Sequence, residues 1–285
     1  MKVGLVIKVK IKYYIYGTAK WKSILWLLFF VLILLSEKLI ASEWMKSADQ
    51  LESGNWTVSL YGGASATEPE ILMKGSGGIV VPITGGNNTV ISNSSSRIKL
   101  EEYVESHMAA VSFRPHDNGL TYSFKIGEVK SSSIEFSSGT FTNKLSGFDG
   151  YIWGVGFGYN VIPDTIVSMG IQIDFSYSNT VIGLDKFNSQ LGVFSVNEQL
   201  IQNEFQLSSL VSKRIQIFEP FGGLKFNRVS TILYDKDLKS RVSGVVYGVI
   251  PTVGIKVNYA PKQSVIVEVS GVSEQAVRAG FILQF

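Results

Sequence analysis

Hydrophobic and polar residues alternate with period two over much of the chain. In 165–177, Val167, Met169, Ile171, Ile173, Phe175 and Tyr177 share one face, while Ser168, Gly170, Gln172, Asp174 and Ser176 share the other. A helix, at 3.6 residues per turn, would mix the two sets; an extended strand keeps them apart. Tyr151, Trp153, Val155, Phe157 and Tyr159 alternate in the same way with Ile152, Gly154, Gly156, Gly158 and Asn160, and Leu120, Tyr122, Phe124 and Ile126 with Thr121, Ser123 and Lys125. Extended along the chain, the pattern predicts ten strands: 55–63, 104–114, 119–130, 148–160, 165–178, 200–213, 218–233, 245–260, 264–272 and 276–285. Counts of 8 and 12 are the neighbouring alternatives.

The connections fall into two classes. Pro115 to Gly119, Ile162 to Thr165, Arg214 to Ile217 and Ala260 to Gln263 carry tight-turn chemistry. Connections near 64–103, 131–147, 179–199 and 234–244 are longer and rich in Ser, Asn and Gly. Short and long alternate, apart from a brief last one near Ser273, as expected when strands run up and down through a membrane with turns on one side and loops on the other. The fold class expected is therefore all-β, an antiparallel up-and-down transmembrane β-barrel of about ten strands.

A different pattern precedes the strands. The apolar run 24–35 follows Lys2, Lys8, Lys10, Lys12, Lys20 and Lys22, and is short for a ~30 Å hydrocarbon core but suited to the core of a signal peptide. The organisation expected is a signal peptide over 1–41, a periplasmic lead over 42–54 and the barrel over 55–285; an uncleaved anchor is the alternative for the first segment. Of the chain's 26 basic and 23 acidic residues, seven lysines and one acid lie in 1–41, so the remainder is acidic by three. That balance offers no electrostatic footprint for nucleic acid. With no cysteine, disulfide scaffolds, thiolate metal sites and cysteine nucleophiles are excluded.

The chain closes on Val277, Ala279, Phe281, Leu283 and Phe285 on one face, opposite Arg278, Gly280, Ile282 and Gln284. This stretch resembles the last strand of the small outer-membrane β-barrel proteins of Gram-negative bacteria, the opacity-protein-like and OmpA/OmpX-type barrels. Leu283 stands where that group often has an aromatic. The resemblance implies outer-membrane localisation, with Phe281, Leu283 and Phe285 as the signal read by the barrel assembly machinery, and outer-membrane lipid as the surroundings.

If the apolar faces look outward to lipid, the opposite faces line the lumen, which then holds Lys125, Asp174, Lys256, Glu268 and Arg278, joined by Glu219 and Lys225. Charges of both signs in a narrow barrel cost desolvation unless they pair, so an ion-paired and largely occluded lumen is expected. The functional expectation is a non-enzymatic barrel with long extracellular loops, structural or engaged with an extracellular ligand. A narrow porin and a hydrolase at the outer rim are the alternatives.

No cofactor, metal or catalytic residue is assigned. The Gly154–Gly158 run lacks the following helix that a dinucleotide loop needs, and is expected to make room for side chains of neighbouring strands. His107, beside Ser106 and Glu105, is the one imaginable hydrolase fragment. Asp235 and Asp237 are read as a solvated turn before a calcium site. The first long loop, with Ile79–Ile83 between two glycine-rich joints, reads either as an exposed binding loop or as a hairpin that folds back as a partial plug.

Overall fold

The computed structural model describes residues 54–67, 70–72, 80–81, 89–90, 97–116, 119–138, 141–164, 168–189, 192–237, 240–271 and 274–285. All belong to the compact unit Leu39–Phe285. The expected signal peptide, and the lead up to its last residue, lie outside the described residues.

Fourteen strands follow in chain order: β1 (Trp56–Thr67), β2 (Glu70–Leu72), β3 (Val80–Val81), β4 (Thr89–Val90), β5 (Arg97–Phe113), β6 (Leu120–Ser138), β7 (Phe141–Gly147), β8 (Asp149–Ile162), β9 (Gly170–Ser189), β10 (Gly192–Ser212), β11 (Phe218–Asp235), β12 (Ser240–Ala260), β13 (Gln263–Ser270) and β14 (Glu274–Gln284). Ten of them, β1, β5, β6 and β8 to β14, close into an antiparallel ring in which β14 returns to β1 and β1 meets β5. Each of the ten predicted strands has its counterpart here.

Two of the turns expected to be tight are seen to be so among the described residues. Pro261 and Lys262 alone join β12 to β13, with Lys262 at φ 64°. After β10, Ile215 bridges back to Phe218 with Gln216 at φ 58°. These left-handed positions reverse the chain in the fewest residues.

The barrel is inside out relative to a soluble one. Outward positions carry Tyr122, Phe124 and Ile126 on β6, Trp153, Val155 and Phe157 on β8, and Leu224 and Phe226 on β11, all exposed. Inward positions on the same strands carry Ser123, Lys125 and Lys225, all buried. Water would expel such a belt, whereas hydrocarbon welcomes it and the closed ladder leaves no sheet edge within it. About eleven tilted residues per strand climb ~25–30 Å, the height of the apolar band.

Four connections read as long loops turn out differently. β6 and β7 continue as a hairpin from Ser132↔Gly147 to Ser138↔Phe141. β9 and β10 stay paired up to Ser189↔Gly192, and β11 and β12 up to Asp235↔Ser240. In the first connection, β2 pairs with the upper end of β5, and Val80–Val81 pairs with Thr89–Val90 as a separate hairpin. Above the bilayer the strands therefore form a collar. Ile134, Leu145, Ile182, Leu184, Phe187 and Leu200 turn inward there and pack together, which explains why Ser-rich stretches that look like loops are ordered as strands.

Candidate functional site

Among the described residues, the lumen gathers buried charge of both signs. Arg278 on β14 sits directly opposite Glu268 on β13. Its Nη1 donates to Glu268 Oε1 at 2.6 Å and to Ser270 Oγ at 2.8 Å, and its Nη2 to Glu274 Oε1 at 2.5 Å. Lys225 reaches past β12 to the same Glu268 oxygen at 2.6 Å. A second pair, Lys256 and Glu219, faces across β11 and β12 at 3.2 Å. Relative exposure is 0% for Arg278, Glu268 and Glu219 and 1% for Lys125 and Lys225. The strand pleat explains the gathering, because each charged residue alternates with a lipid-facing apolar one and has no other side to occupy.

On the opposite wall the arrangement depends on glycine. Gly154 lies opposite Lys125 and Gly158 opposite Asp174. A Cβ at Gly154 would stand 2.7 Å from Lys125 Cε, so the bare backbone is what lets the lysine stem lie flat against β8. Asp174 Oδ1 accepts from Gln172 Nε2 at 2.7 Å, and Ser123 donates to the Gly156 carbonyl at 3.2 Å. The glycine run thus seats side chains from β6 and β9.

Higher in the lumen, sequence reasoning missed three groups. Glu274 borders the last turn, just outside the predicted strand 276–285. Glu204 lies between Asn227, which donates to it at 3.2 Å, and Ser178 at 3.5 Å. Glu102 on β5 accepts from Gln202 Nε2 at 2.9 and 2.8 Å, joining strands that are not neighbours in the ring. Above this contact the lumen gives way to the apolar collar. The signal that could have found Glu102 is its phase: it shares the inward face of β5 with Val104, Ser106 and Met108.

The remaining candidates disperse. Ser106 is fully buried and inward, whereas His107 and Glu105 point to the outer face, so the pleat separates the three residues of the imagined hydrolase fragment. His107 lies within β5, which begins earlier than expected, and its Nδ1 is 3.7 Å from Glu128, itself 2.6 Å from Lys130. His116 lies in the following turn, where its carbonyl accepts from Arg114. Asp235 Oδ1 caps the Asp237 amide at 2.9 Å, and Asn197 donates to Asp237 at 3.1 Å. No group of three metal-ligating side chains forms among the described residues. Phe281, Leu283 and Phe285 run down the outer face of the last strand, Phe281 near Tyr259 with ring centroids 6.1 Å apart.

Aromatics ring the outer edge of the belt on β8 to β10. Trp153 Nε1 donates to Asn179 at 3.2 Å, Tyr177 hydroxyl to Asn203 at 2.7 Å, and Tyr177 packs on Phe205 at 4.9 Å. Such amphipathic side chains mark a membrane–water interface. The architecture is that of a transmembrane β-barrel.

No protein-family model matches the chain, and no curated protein does. Among solved structures it is similar to the outer-membrane protease OmpT of Escherichia coli, at 13% identity over 84% of this chain and 98% of that one, with a TM-score of 0.41. The translocator domain of the autotransporter NalP of Neisseria meningitidis matches at 11% identity over 84% and 91%, TM-score 0.42. OprG of Pseudomonas aeruginosa matches at 10% over 84% and 99%, TM-score 0.34.

Proposed function

We propose that this protein is a non-enzymatic outer-membrane barrel whose lumen is closed to water and whose extracellular collar is its working surface, in a structural or surface-binding role. The observation that carries this reading is the complete burial of Arg278, Glu268 and Glu219. Lumen charges that lined a water column would be wet; here they are consumed by one another, and the apolar collar packs above them. Its partners are the outer-membrane lipid around the belt, the assembly machinery at Phe281, Leu283 and Phe285, and an extracellular ligand for the collar and the hairpin of β3 and β4.

Planar-bilayer recording of the refolded mature chain tests it, with a heat-modifiability gel to establish that folded barrel was added. The expected result is a silent membrane. Discrete conductance steps from folded protein alone would overturn the closed lumen in favour of a narrow pore, whose ion selectivity should then shift when Lys125, Asp174 or Arg278 is neutralised.

A further inference from the structure

The charges on the outer wall are not evenly spent. On β6, Lys130 sits 2.6 Å from Glu128, which also lies 3.7 Å from His107 on β5, and on β9 the Lys186 ammonium lies over the Phe148 ring, 4.9 Å from its centroid. The outward face of β10, β11 and β12 differs. Between the apolar pair Leu224 and Phe226 and the turn after Asp235, the outward charges of these strands among the described residues are Arg228 and Arg241, both exposed, with no acid on that face. Arg228 stands directly between Phe205 on β10 and Tyr247 on β12, and Tyr247 is 74% exposed. No carboxylate pairs with Arg228 among the described residues. A bare guanidinium on the lipid face is tolerated at headgroup height, where the anions it meets are lipid phosphates.

A run of hydrogen bonds ends beside it. Trp153 Nε1 donates to Asn179 Oδ1 at 3.2 Å, and Asn179 Nδ2 and the Tyr177 hydroxyl both donate to Asn203 Oδ1, at 3.0 and 2.7 Å. Three adjacent strands thus pass donors in one direction. With its oxygen doubly occupied, Asn203 turns its Nδ2 away from the relay, where it has no partner among the described residues. Asn203 faces Ser230 across β10 and β11, and Arg228 is its diagonal neighbour, within reach of a long side chain. A guanidinium, a carboxamide and a hydroxyl therefore present donors together with no carboxylate among them. Such a set selects an anion, and the planar fork of arginine matches a phosphate.

We propose that Arg228, Asn203, Ser230 and Tyr247 hold the phosphate of one membrane lipid, whose chains lie down the apolar column of Phe226 and Leu224. The inference deepens the proposed reading, in which lipid surrounds the belt, by giving one lipid a fixed place. A conducting lumen would overturn that reading and leave this site as it is, and loss of the site would leave the closed lumen as it is.

Native mass spectrometry of the refolded full chain, released from uncharged detergent micelles, tests the site, with a heat-modifiability gel to establish folding of every variant. The probes are phosphatidic acid, the diacylglycerol with the same chains, and inorganic phosphate. One phosphatidic acid should be retained per barrel, bound about tenfold more weakly in Arg228→Gln and several-fold more weakly in Asn203→Leu. Arg228→Lys, which keeps the charge and loses the fork, should also bind several-fold more weakly and serves if the glutamine variant gives no folded band. Retention should be unchanged in Lys186→Gln, and in Arg241→Gln, whose partner Tyr234 lies six residues, about 20 Å, along β11 from Arg228. Equal retention of the diacylglycerol, retention indifferent to both Arg228 variants, an equal loss in Lys186→Gln, or capture of inorganic phosphate as tightly as the lipid would each overturn the proposal.

Discussion

Arg278 is the residue on which most lumen contacts converge, serving Glu268, Glu274 and Ser270 at once. Replacing one member of a buried ion cluster leaves its partners charged and dry, at a cost of roughly 3–5 kcal/mol. Arg278→Met should therefore lower the urea midpoint of the refolded barrel markedly, and an unchanged midpoint would mean that the cluster is not buried. Glu198, at the collar tip and well outside the belt, behaves differently. Burial, aided by the facing Asp235, raises its carboxyl from 4.5 to about 7. A carboxyl raised in the folded state stabilises when protonated, so its contribution is full below pH 4.5 and is lost as pH rises through about 7. Hydrogen exchange at the β10–β11 tip should accelerate across that window, and Glu198→Gln should flatten the response. The lumen residues were legible in the sequence because a period-two face identifies them without any knowledge of their partners. Glu102 and Glu274 were not, because both lie outside the predicted strands 104–114 and 276–285, although β5 and β14 extend over them.

Among the elements, β8 shows most plainly how a strand serves two solvents. Its outward Trp153, Val155, Phe157 and Tyr159 face lipid, while Gly154, Gly156 and Gly158 yield the lumen to Lys125, Ser123 and Asp174. Phe157 packs on Phe175 with ring centroids 5.2 Å apart. Phe157→Arg should cost about 2–4 kcal/mol if it lies near the bilayer midplane, readable as a lower yield of heat-modifiable folded band, whereas the same change at exposed Lys236 should cost little. All ten barrel strands were visible as alternation, because lipid on one side and a polar lumen on the other impose it. The upper parts of β6, β9, β10 and β12 read as loops in the sequence. There the outer face meets water and the inner face an apolar core, and stretches such as Ser131-Ser132-Ser133 carry a composition that masks the pleat.

For the whole molecule, the geometry predicts a sidedness that can be read in cells. Asp237→Cys in the β11–β12 turn and Phe148→Cys between β7 and β8 should react with an impermeant maleimide on intact bacteria; Arg214→Cys, in a short periplasmic turn, should react only after the outer membrane is permeabilised. The reverse labelling would invert the barrel. Architecture was the most legible level, because a band of outward aromatics and an inward set of charges admit few folds. The extracellular role was the least, because the collar core uses the same residues as any packed interior.

The strand that begins the barrel lies between the strand that ends it and β5, from which the long first connection separates it. Closure thus depends on a contact between the two most distant parts of the barrel sequence. A ring of that kind is complete only when the last strand has been delivered to the first, and only then does the cylinder exist.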